Sequence, residues 1–434
     1  MREMKDSGVD WIANIPTDWT INKMKYLFSN GKGLSITKEN LIETGLPVIS
    51  YGQIHSKVNR GTDIKDTLLR YVDFQYQANY PQCEVFQYDF VFADTSEDYD
   101  GCGNCVYKRD TSLLFGGYHA IIMHSLIKHD NRFFAYLFKT DAWRKQLREV
   151  ASGVKVFSIT QKALMNCSII IPPEDEQKEI SDFLDAKCAE FNALISDLQS
   201  QIETLEEYKK SLVFRVVSKG IKKTALKATT SDVWTIIPKN WRLIDIKYIF
   251  EIVKRIAGQE GFDVLSVTQK GLKIKDIESN NGQQAESYAG YQFVYPTDYV
   301  MNHMDLLTGW VDCSTMFGVT SPDYRVFRLR DKENNNLTYF KYLMQCCYMS
   351  RIFYSLGQGV SNLGRWRLQT SAFNNFMIPV PPLEEQCEIA GYLDTKISEI
   401  DTIIADKQKQ IETIEEYKKS LIFEYVTGKK EVQI

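Results

Sequence analysis

The sequence predicts a mixed α+β fold: two α/β domains separated by two long helices that form an antiparallel coiled coil, with pseudo-twofold symmetry. Three observations predict it: a segment that occurs twice, a heptad stripe of apolar residues in each copy, and short β-branched and aromatic runs before each copy. The 434 residues are 44% hydrophobic and 25% charged, which is typical of a globular protein with more than one domain.

The duplicated segment covers residues 171–217 and 380–426, where more than half of the aligned positions are identical. Within it, Gln201–Phe214 and Gln410–Phe423 differ only at one Leu/Ile and one Val/Ile position. A repeat of this length is too long for a solenoid unit. It indicates instead that the chain consists of two half-chains, each with one domain followed by one helix.

A weaker duplication lies in the block before each copy. Ile15-Pro16-x-x-Trp19 recurs as Ile237-Pro238-x-x-Trp241, and a Lys-Tyr pair and a Phe follow at the same distance in both halves. The blocks contain strand-like runs and stretches with helical spacing, among them Asn131–Val150 and Leu337–Ser355. We therefore predict a first domain over 1–170, a long helix over 171–220, an exposed linker over 221–236, a second domain over 237–379 and a second long helix over 380–434.

Each copy of the repeat predicts one long helix. Pro172-Pro173 and Pro381-Pro382 precede acidic residues, and proline followed by carboxylates is typical of a helix start. Apolar residues then recur at alternating spacings of four and three, interrupted in the second copy by Lys407. One helix cannot bury such a stripe by itself, so we predict that the two helices pair with each other. The predicted seam residues are Leu184, Phe191, Ile195, Leu198, Ile202, Leu205, Leu212, Leu393, Ile397, Ile400, Ile404, Ile411, Ile414 and Leu421.

Residues outside the seam are duplicated too. A coiled coil constrains its seam positions only, so identical outward residues indicate that both copies present one surface to the same external partner. The predicted docking residues are Glu206, Glu207, Lys209 and Lys210 in the first copy and Glu415, Glu416, Lys418 and Lys419 in the second.

Composition bounds the class of protein. A net charge of −4 does not suit a protein that coats nucleic acid by bulk attraction, although it permits local basic surfaces. No run of eighteen apolar residues predicts a membrane span, and the first residues lack the apolar core of a signal peptide. Nine cysteines at irregular positions indicate reduced thiols, so we expect a cytoplasmic protein.

No pattern in the chain indicates a catalytic centre. The phosphate-binding Gly-x4-Gly-Lys-Ser/Thr, the Asn/Asp-Pro-Pro-Tyr/Phe of DNA adenine methyltransferases and the metal-binding His-Glu-x-x-His are all missing from the sequence. Cys102 and Cys105 form a single CxxC without a second pair at zinc-site spacing, which favours two reduced thiols beside a glycine turn. We therefore predict no catalytic residue, no metal and no cofactor on this chain.

These features together resemble the specificity subunit of type I restriction–modification systems. The resemblance rests on Asp6–Trp11, the two Ile-Pro-x-x-Trp motifs, the Pro-Pro-x-x-Glu-Gln-x-x-Ile blocks and the Glu-Glu-Tyr-Lys-Lys-Ser-Leu runs, and it covers essentially the whole chain. It implies a non-catalytic, sequence-specific DNA-binding subunit whose two target-recognition domains each contact one half of a bipartite, asymmetric site. It further implies two methyltransferase (modification) subunits that carry S-adenosylmethionine, and restriction subunits that use ATP and Mg²⁺ to translocate and cleave DNA.

Candidate DNA contacts are polar residues at the ends of predicted strands, because specific contacts need side chains on base edges whereas phosphate contacts mainly position the protein. In the first domain they are Ser50, Gln53, His55, Lys57, Ser96, Tyr118 and His119. In the second domain they are Ser266, Gln269, Lys270, Lys273, Asn302, Tyr324, Arg325, Arg365 and Arg367. The notable alternative is a non-catalytic coiled-coil scaffold whose two domains bind ligands or proteins, and an enzyme that acts alone is a third hypothesis. Salt-sensitive binding to duplex DNA separates the first two.

Overall fold

The computed structural model describes residues 2–127, 129–277, 285–359 and 366–432. Contacts divide the chain into two compact units, Met1–Asp197 with Gln410–Ile434, and Leu198–Lys409. Each unit therefore combines one α/β domain with a part of each long helix. This confirms the predicted class, a mixed fold with two domains and two long helices.

The first domain is built on an antiparallel sheet with the strand order β4-β11-β7-β9 and a smaller sheet with the order β10-β5-β6. Its strands are β1 (Met4–Val9), β2 (Ile12–Pro16), β3 (Thr20–Lys23), β4 (Phe28–Lys32), β5 (Leu46–Ile49), β6 (Arg70–Val72), β7 (Phe90–Ala93), β8 (Thr95–Ser96), β9 (Cys105–Tyr107), β10 (Phe115–Gly116), β11 (Ala120–Ser125), β12 (Phe157–Ser158) and β13 (Ser168–Ile171). Its helices are α1 (Tyr51–Ile54), α2 (Gln75–Asn79), α3 (Arg132–Phe138), α4 (Asp141–Arg148) and α5 (Gln161–Met165), with short 3-10 helices at Met24–Tyr26, Lys38–Asn40, Asp66–Leu68 and Pro81–Cys83.

The first long helix, α6, covers Glu174–Lys219 and precedes the second domain. The strands of that domain are β14 (Leu226–Ala228), β15 (Ile236–Pro238), β16 (Arg242–Asp245), β17 (Phe250–Val253), β18 (Leu265–Thr268), β19 (Gly271–Ile274), β20 (Gln292–Val294), β21 (Tyr299–Met301), β22 (Val311–Cys313), β23 (Gly318–Thr320), β24 (Arg325–Leu329) and β25 (Met377–Val380). Its helices are α7 (Ile246–Ile249), α8 (Leu337–Met349), α9 (Ile352–Ser355) and α10 (Thr370–Asn374), and the second long helix, α11, covers Leu383–Val426.

Each domain has its own core sheet, and the two sheets have the same strand order. In the second domain the order β17-β24-β21-β22 repeats the order β4-β11-β7-β9 of the first. Its inner face is apolar and aromatic in both domains, with Phe28 and Phe250 buried at equivalent strand starts. In both, the strand that precedes the long helix pairs with the strand after the Trp of the Ile-Pro-x-x-Trp motif (β13 with β3, β25 with β16).

The structure differs from the sequence prediction in two segments, and local hydrogen bonds explain both differences. The helical stretch Asn131–Val150 is interrupted at Thr140, whose side chain accepts a hydrogen bond from the Trp143 backbone N–H (3.3 Å) and starts α4. The linker predicted over 221–236 is also partly regular, because β14 within it pairs with β15 as a hairpin. The equivalent hairpin in the first domain is β1–β2.

Within each unit the long-helix segments pack antiparallel. In the first unit the rings of Phe183 and Tyr425 have centroids 4.5 Å apart, and those of Phe191 and Tyr417 are 5.6 Å apart. In the second unit Lys209 Nζ donates to Asp401 Oδ1 over 2.6 Å. All fourteen predicted seam residues are buried or half-buried. The interrupting Lys407 is half-buried and donates to Gln201, whose amide oxygen keeps its charge solvated.

Each long helix is joined to its domain by the same hydrogen bonds. Trp19 Nε1 donates to Glu176 (2.8 Å), and Trp241 Nε1 donates to Glu385 (2.7 Å). The amides of Gln177 and Gln386 each donate to the carbonyl of the first proline before their helix, both over 2.9 Å. These bonds explain why the Trp and the Glu-Gln pair are duplicated. None of the helices within the described residues has the length and apolarity that a lipid bilayer crossing requires.

Candidate nucleic-acid interface

In the first domain, three of the predicted segments meet at one end of the core sheet. Backbone bonds join them: Tyr51 N donates to Tyr118 O (3.1 Å) and Asp94 N donates to His119 O (3.1 Å). Ser50 caps α1, and its hydroxyl oxygen also accepts a bond from Tyr118 N (3.1 Å). The segments around residues 50–57, 94–96 and 118–119 therefore form one continuous surface.

Tyr118 is the most accessible aromatic side chain of this surface. Its ring is 45% exposed and lies 4.0 Å from the His119 ring and 6.2 Å from the Tyr51 ring, centroid to centroid. His119 adopts a left-handed backbone conformation (φ 54°), which is uncommon for a residue with a side chain. Its Nδ1 is hydrogen-bonded to Asp94 Oδ1 (2.7 Å), so the strained backbone is held by a side-chain contact.

His55 is held inside the surface and does not project from it. Asn104 Nδ2 donates to its Nδ1 (2.9 Å), and its Nε2 bonds the carbonyl of Thr95 (2.8 Å). Both ring nitrogens are therefore used within the domain. The role that this geometry supports for His55 is to position α1 against β8 and not to contact bases itself.

The remaining first-domain candidates differ in accessibility. Lys57 is exposed, and Gln53 is half-buried with its amide oxygen bonded to Ser50 N (3.2 Å), which leaves the amide N–H group for other partners. The structure corrects the prediction for Ser96, because this residue is buried and its hydroxyl accepts a hydrogen bond from Asp98 N (3.3 Å). Its predicted contact with DNA is not supported, because an alternating strand residue that faces the interior cannot reach a groove.

In the second domain the equivalent polar segment has a different structure. Ser266 lies on β18 and pairs with Lys273 on β19, so the segment is a hairpin and not a helix. Gln269 and Lys270 are exposed at its turn, where Gly271 has a φ of +96°. Residues 266–273, which align in sequence with 50–57, therefore form a different element from α1.

The strand order gives two further correspondences, and the second differs by one residue from the sequence alignment, which pairs Tyr118-His119 with Tyr324-Arg325. Asn302 follows β21 as Asp94 follows β7, and Tyr324 precedes β24 as His119 precedes β11. Asn302 and Tyr324 are half-buried at the same end of the sheet as the hairpin, and Tyr324 packs against the small core that contains Val267. The second domain thus presents polar side chains at the same sheet end on a different element.

The predicted DNA contact of Arg325 is also corrected by the structure. It is 4% exposed, its Nη2 donates to the Leu368 carbonyl (3.0 Å), and its guanidinium stacks over the Phe373 ring at 4.6 Å. Burial lowers the pKa of Arg325 to about 10. The charge is fixed in the interior, so Arg325 supports the fold and not a base contact. Nearby, Arg367 is exposed, and Arg365 lies outside the described residues.

Two of the predicted docking lysines also have internal partners. Lys209 bonds Asp401 across the helix pair, and Lys418 makes the equivalent contact with Asn192 Oδ1 (2.7 Å). Burial lowers the pKa of Lys418. These lysines are therefore part of the helix pairing. Glu206, Glu207, Glu415, Glu416 and Lys419 are exposed, and Lys210 is half-buried and bonded to Glu207 (2.7 Å).

Tyr51, Thr95 and Asn104 complete the first surface but are not among the predicted contacts; Tyr51 and Thr95 lie inside predicted polar segments, whereas Asn104 lies outside them. Their signals are weak: Tyr51 looks like one of many tyrosines, and Asn104 lies in the Cys-Gly-Asn-Cys turn, which draws attention to its cysteines. Cys102 and Cys105 are buried free thiols, and burial raises the pKa of Cys105 to about 12. Within the described residues, no group of three or more His, Cys, Asp or Glu side chains is placed to hold a metal ion.

Comparisons with known proteins identify the family. The family model for the type I restriction modification DNA specificity domain matches residues 16–204 and 288–413. A Methanocaldococcus jannaschii protein that carries the name of the MjaX type I restriction enzyme specificity subunit is 25% identical over 441 residues, covering 96% of this chain and 95% of that protein. The MjaVIII specificity subunit of the same organism is 25% identical over 344 residues, 73% of this chain and 76% of its own length.

A chain in a solved structure of a type I R-M system has a TM-score of 0.65 at 14% identity. The match covers 96% of this chain and 99% of that chain. At this identity the likeness concerns the fold alone. It extends to both α/β domains and both long helices, since nearly the whole of each chain is matched.

Proposed function

Because this chain belongs to the family of type I restriction modification DNA specificity domains, we propose that it is the DNA-binding specificity subunit of a type I restriction–modification complex. Each domain contacts one half of a bipartite, asymmetric site in duplex DNA. The chain performs no catalysis itself and acts in the cytoplasm.

One observation gives the main support for the proposed bipartite site. The core sheets of the two domains have the same strand order. At the corresponding end of the sheet, however, the first domain presents α1 with Tyr118 and the second presents the β18–β19 hairpin with Gln269 and Lys270. Two domains with the same core sheet but different polar surface elements are suited to bind two different short DNA sequences. Side chains of these types contact base edges in the major groove: Gln pairs with adenine and Lys with guanine.

Charge at the first surface suits base contacts better than phosphate contacts. Glu97, Asp98 and Asp100 are exposed beside the buried Ser96 and would repel phosphate groups, whereas a carboxylate accepts a bond from the N4 amino group of cytosine. Phosphate contacts would come from basic residues such as Lys57. A net charge of −4 is compatible with this, because the complex includes other subunits.

The partners follow from the same proposal. Two methyltransferase subunits, which bind S-adenosylmethionine, dock on this chain, and the exposed duplicated residues of α6 and α11 are candidate contacts for them. Restriction subunits supply the ATP- and Mg²⁺-dependent steps. In this assignment every reaction is carried out by a partner, and this chain selects where it occurs.

The test is binding of the chain, alone and with its methyltransferase subunits, to duplexes that carry the motif found in the host methylome. We expect tight, salt-sensitive binding when both half-sites are present, and each mismatched base pair should cost about 1–3 kcal/mol of binding free energy. A duplex with one scrambled half-site should bind more weakly, whichever half is scrambled. Equal affinity for a fully scrambled duplex would exclude the specificity role, and no DNA binding at all would favour the scaffold.

A further inference from the structure

One short stretch is duplicated more closely than its packing requires. Residues 15–28 and 237–250 share six identities, and both copies of Ile, Pro, Trp and Phe are buried. Packing accounts for these four identities, because a buried side chain that fills its space tolerates few substitutions. The other two identities are Lys25-Tyr26 and Lys247-Tyr248.

The two Lys-Tyr pairs have the same local geometry at the surface. Tyr26 is 62% exposed and Tyr248 is 67% exposed. Lys25 Nζ lies 5.1 Å from the Tyr26 ring centroid, and Lys247 Nζ lies 5.2 Å from that of Tyr248.

The ammonium–ring contact orders each tyrosine before any partner binds, but it buries little of the ring. Lys247 also forms an ion pair with Asp245 (3.0 Å) and donates to Asn375 Oδ1 (2.9 Å). Within the described residues Lys25 has no equivalent contacts, so a shared stabilising contact does not account for the two identities.

The pairs lie away from the candidate DNA contacts. Tyr26 precedes β4 at the strand end where Phe28 pairs with Ser125 of β11, whereas the Tyr118–His119 surface is at the other end, beyond the Lys32–Ile121 pair. With about 3.3 Å per strand residue, these ends are roughly 13 Å apart. The second domain repeats this order: Tyr248 lies near the Phe250–Leu329 pair, and Tyr324 lies beyond the Val253–Val326 pair.

We propose that each Lys-Tyr pair is a docking point, in addition to the duplicated residues of α6 and α11, for one copy of the same protein partner, the methyltransferase subunit. This rests on the proposed function, which supplies that partner. An ordered, exposed tyrosine beside a cation fits an apolar pocket with a carboxylate at its rim, and tyrosine is a frequent energetic centre of protein interfaces. One identical point on each domain fits a partner present in two copies.

The experiment uses the full chain assembled with its methyltransferase subunit, and the number of bound copies is measured by native mass spectrometry across a concentration series. Tyr26→Ala should weaken the binding of one copy by roughly tenfold or more and leave the other unchanged. Tyr248→Ala should do the same for the other copy, and the double variant should weaken both. Tyr26→Phe should bind like the wild type, because it keeps the ring face.

Phe74→Ala is the matched control: it removes a 60% exposed aromatic side chain of the same unit outside the duplicated stretch, so both copies should stay bound. A double variant that binds both copies with wild-type affinity would overturn the inference and leave the proposed function intact. Loss of duplex affinity with unchanged partner binding would overturn it too, by assigning the pairs to DNA phosphates. A wild-type chain that binds no methyltransferase subunit would remove this inference together with that part of the proposed function.

Discussion

At the residue scale, Tyr118 and His55 belong to the same surface but offer different chemistry. Tyr118 projects a ring that is nearly half exposed, with its backbone fixed by Tyr51 and Ser50. His55 has both ring nitrogens bonded within the domain. A sequence presents both as polar or aromatic residues near a strand end, and only the hydrogen-bond partners separate a contact residue from a positioning one.

Tyr118→Ala should weaken binding to the cognate duplex by about 1–3 kcal/mol, the usual size of one specific contact, and leave thermal unfolding unchanged. His55→Ala should lower the unfolding temperature, because the Thr95 carbonyl and the Asn104 amide lose their partner. Duplex titration and differential scanning calorimetry of both variants check this. An opposite pattern, with His55→Ala stable and Tyr118→Ala unfolded, would contradict the assignment.

His303 provides a pH test in the second domain. Burial, helped by the charges of Arg325 and Arg367, lowers the pKa of His303 to about 4. The unfolded chain therefore takes up this proton at a higher pH than the folded chain, and stability falls as the pH decreases from about 6.5 towards 4. His303→Asn should reduce this dependence, measured as the free energy of unfolding at several pH values between 7 and 4.5. Parallel curves for variant and wild type would show that other groups cause the decrease.

The sequence located the candidate surface more reliably than its residues. Tyr118 and His119 were placed near the contact surface because they lie at the end of a predicted strand, and the strand order agrees. Burial of Ser96 and Arg325 was not predictable, since a polar residue at a strand end has the same local pattern whether it faces solvent or the interior. The internal partners of such residues come from segments distant in sequence.

At the element scale, the two long helices were predictable because several local signals agree. The proline pairs, the acidic first turns and the heptad stripe all indicate α6 and α11, whose observed bounds are Glu174–Lys219 and Leu383–Val426. The polar segments of the domains lacked such agreement. The aligned serines Ser50 and Ser266 precede a helix in one domain and lie in a hairpin in the other. Gly271, at the position aligned with His55, has a φ of 96°, which glycine adopts without strain and which allows the hairpin turn.

The helix pair contains a built-in comparison of an ion pair with its neutral equivalent. Lys209 meets Asp401, and at the duplicated position Lys418 meets Asn192. Asn192→Asp should stabilise the first unit by up to about 1 kcal/mol at low salt, because a carboxylate compensates the half-buried ammonium, and the gain should shrink at high salt. Asp401→Asn is the reverse control and should destabilise. Chemical unfolding at two salt concentrations measures both, and a salt-independent effect would argue against an ionic origin.

At the scale of the whole molecule, we predict that the two long helices act as a spacer whose length sets the number of base pairs between the two half-sites. A four-residue insertion after Gln199 in α6, matched after Gln408 in α11, adds about one helical turn, roughly 6 Å, and keeps the contacts on either side in register. We predict that methylome sequencing finds each half-site unchanged and the gap lengthened by one or two base pairs. Retention of the original gap would refute the role of the helices as spacer. An insertion in one helix only serves as the control, because it misaligns the seam and should lower stability.

Residues near both ends of the described sequence pack into one core, that of the first domain. Leu421, Ile422 and Val426 of α11 are buried in the core of the first domain, and a side chain at Gly428 would collide with Pro16. The ribosome completes Leu198–Lys409, which is one uninterrupted stretch, before it synthesises these residues. The domain that emerges first must therefore wait for its final apolar contacts until the other has been translated, and a nascent chain stalled between the two helices would expose that unfinished core to chaperones and proteases.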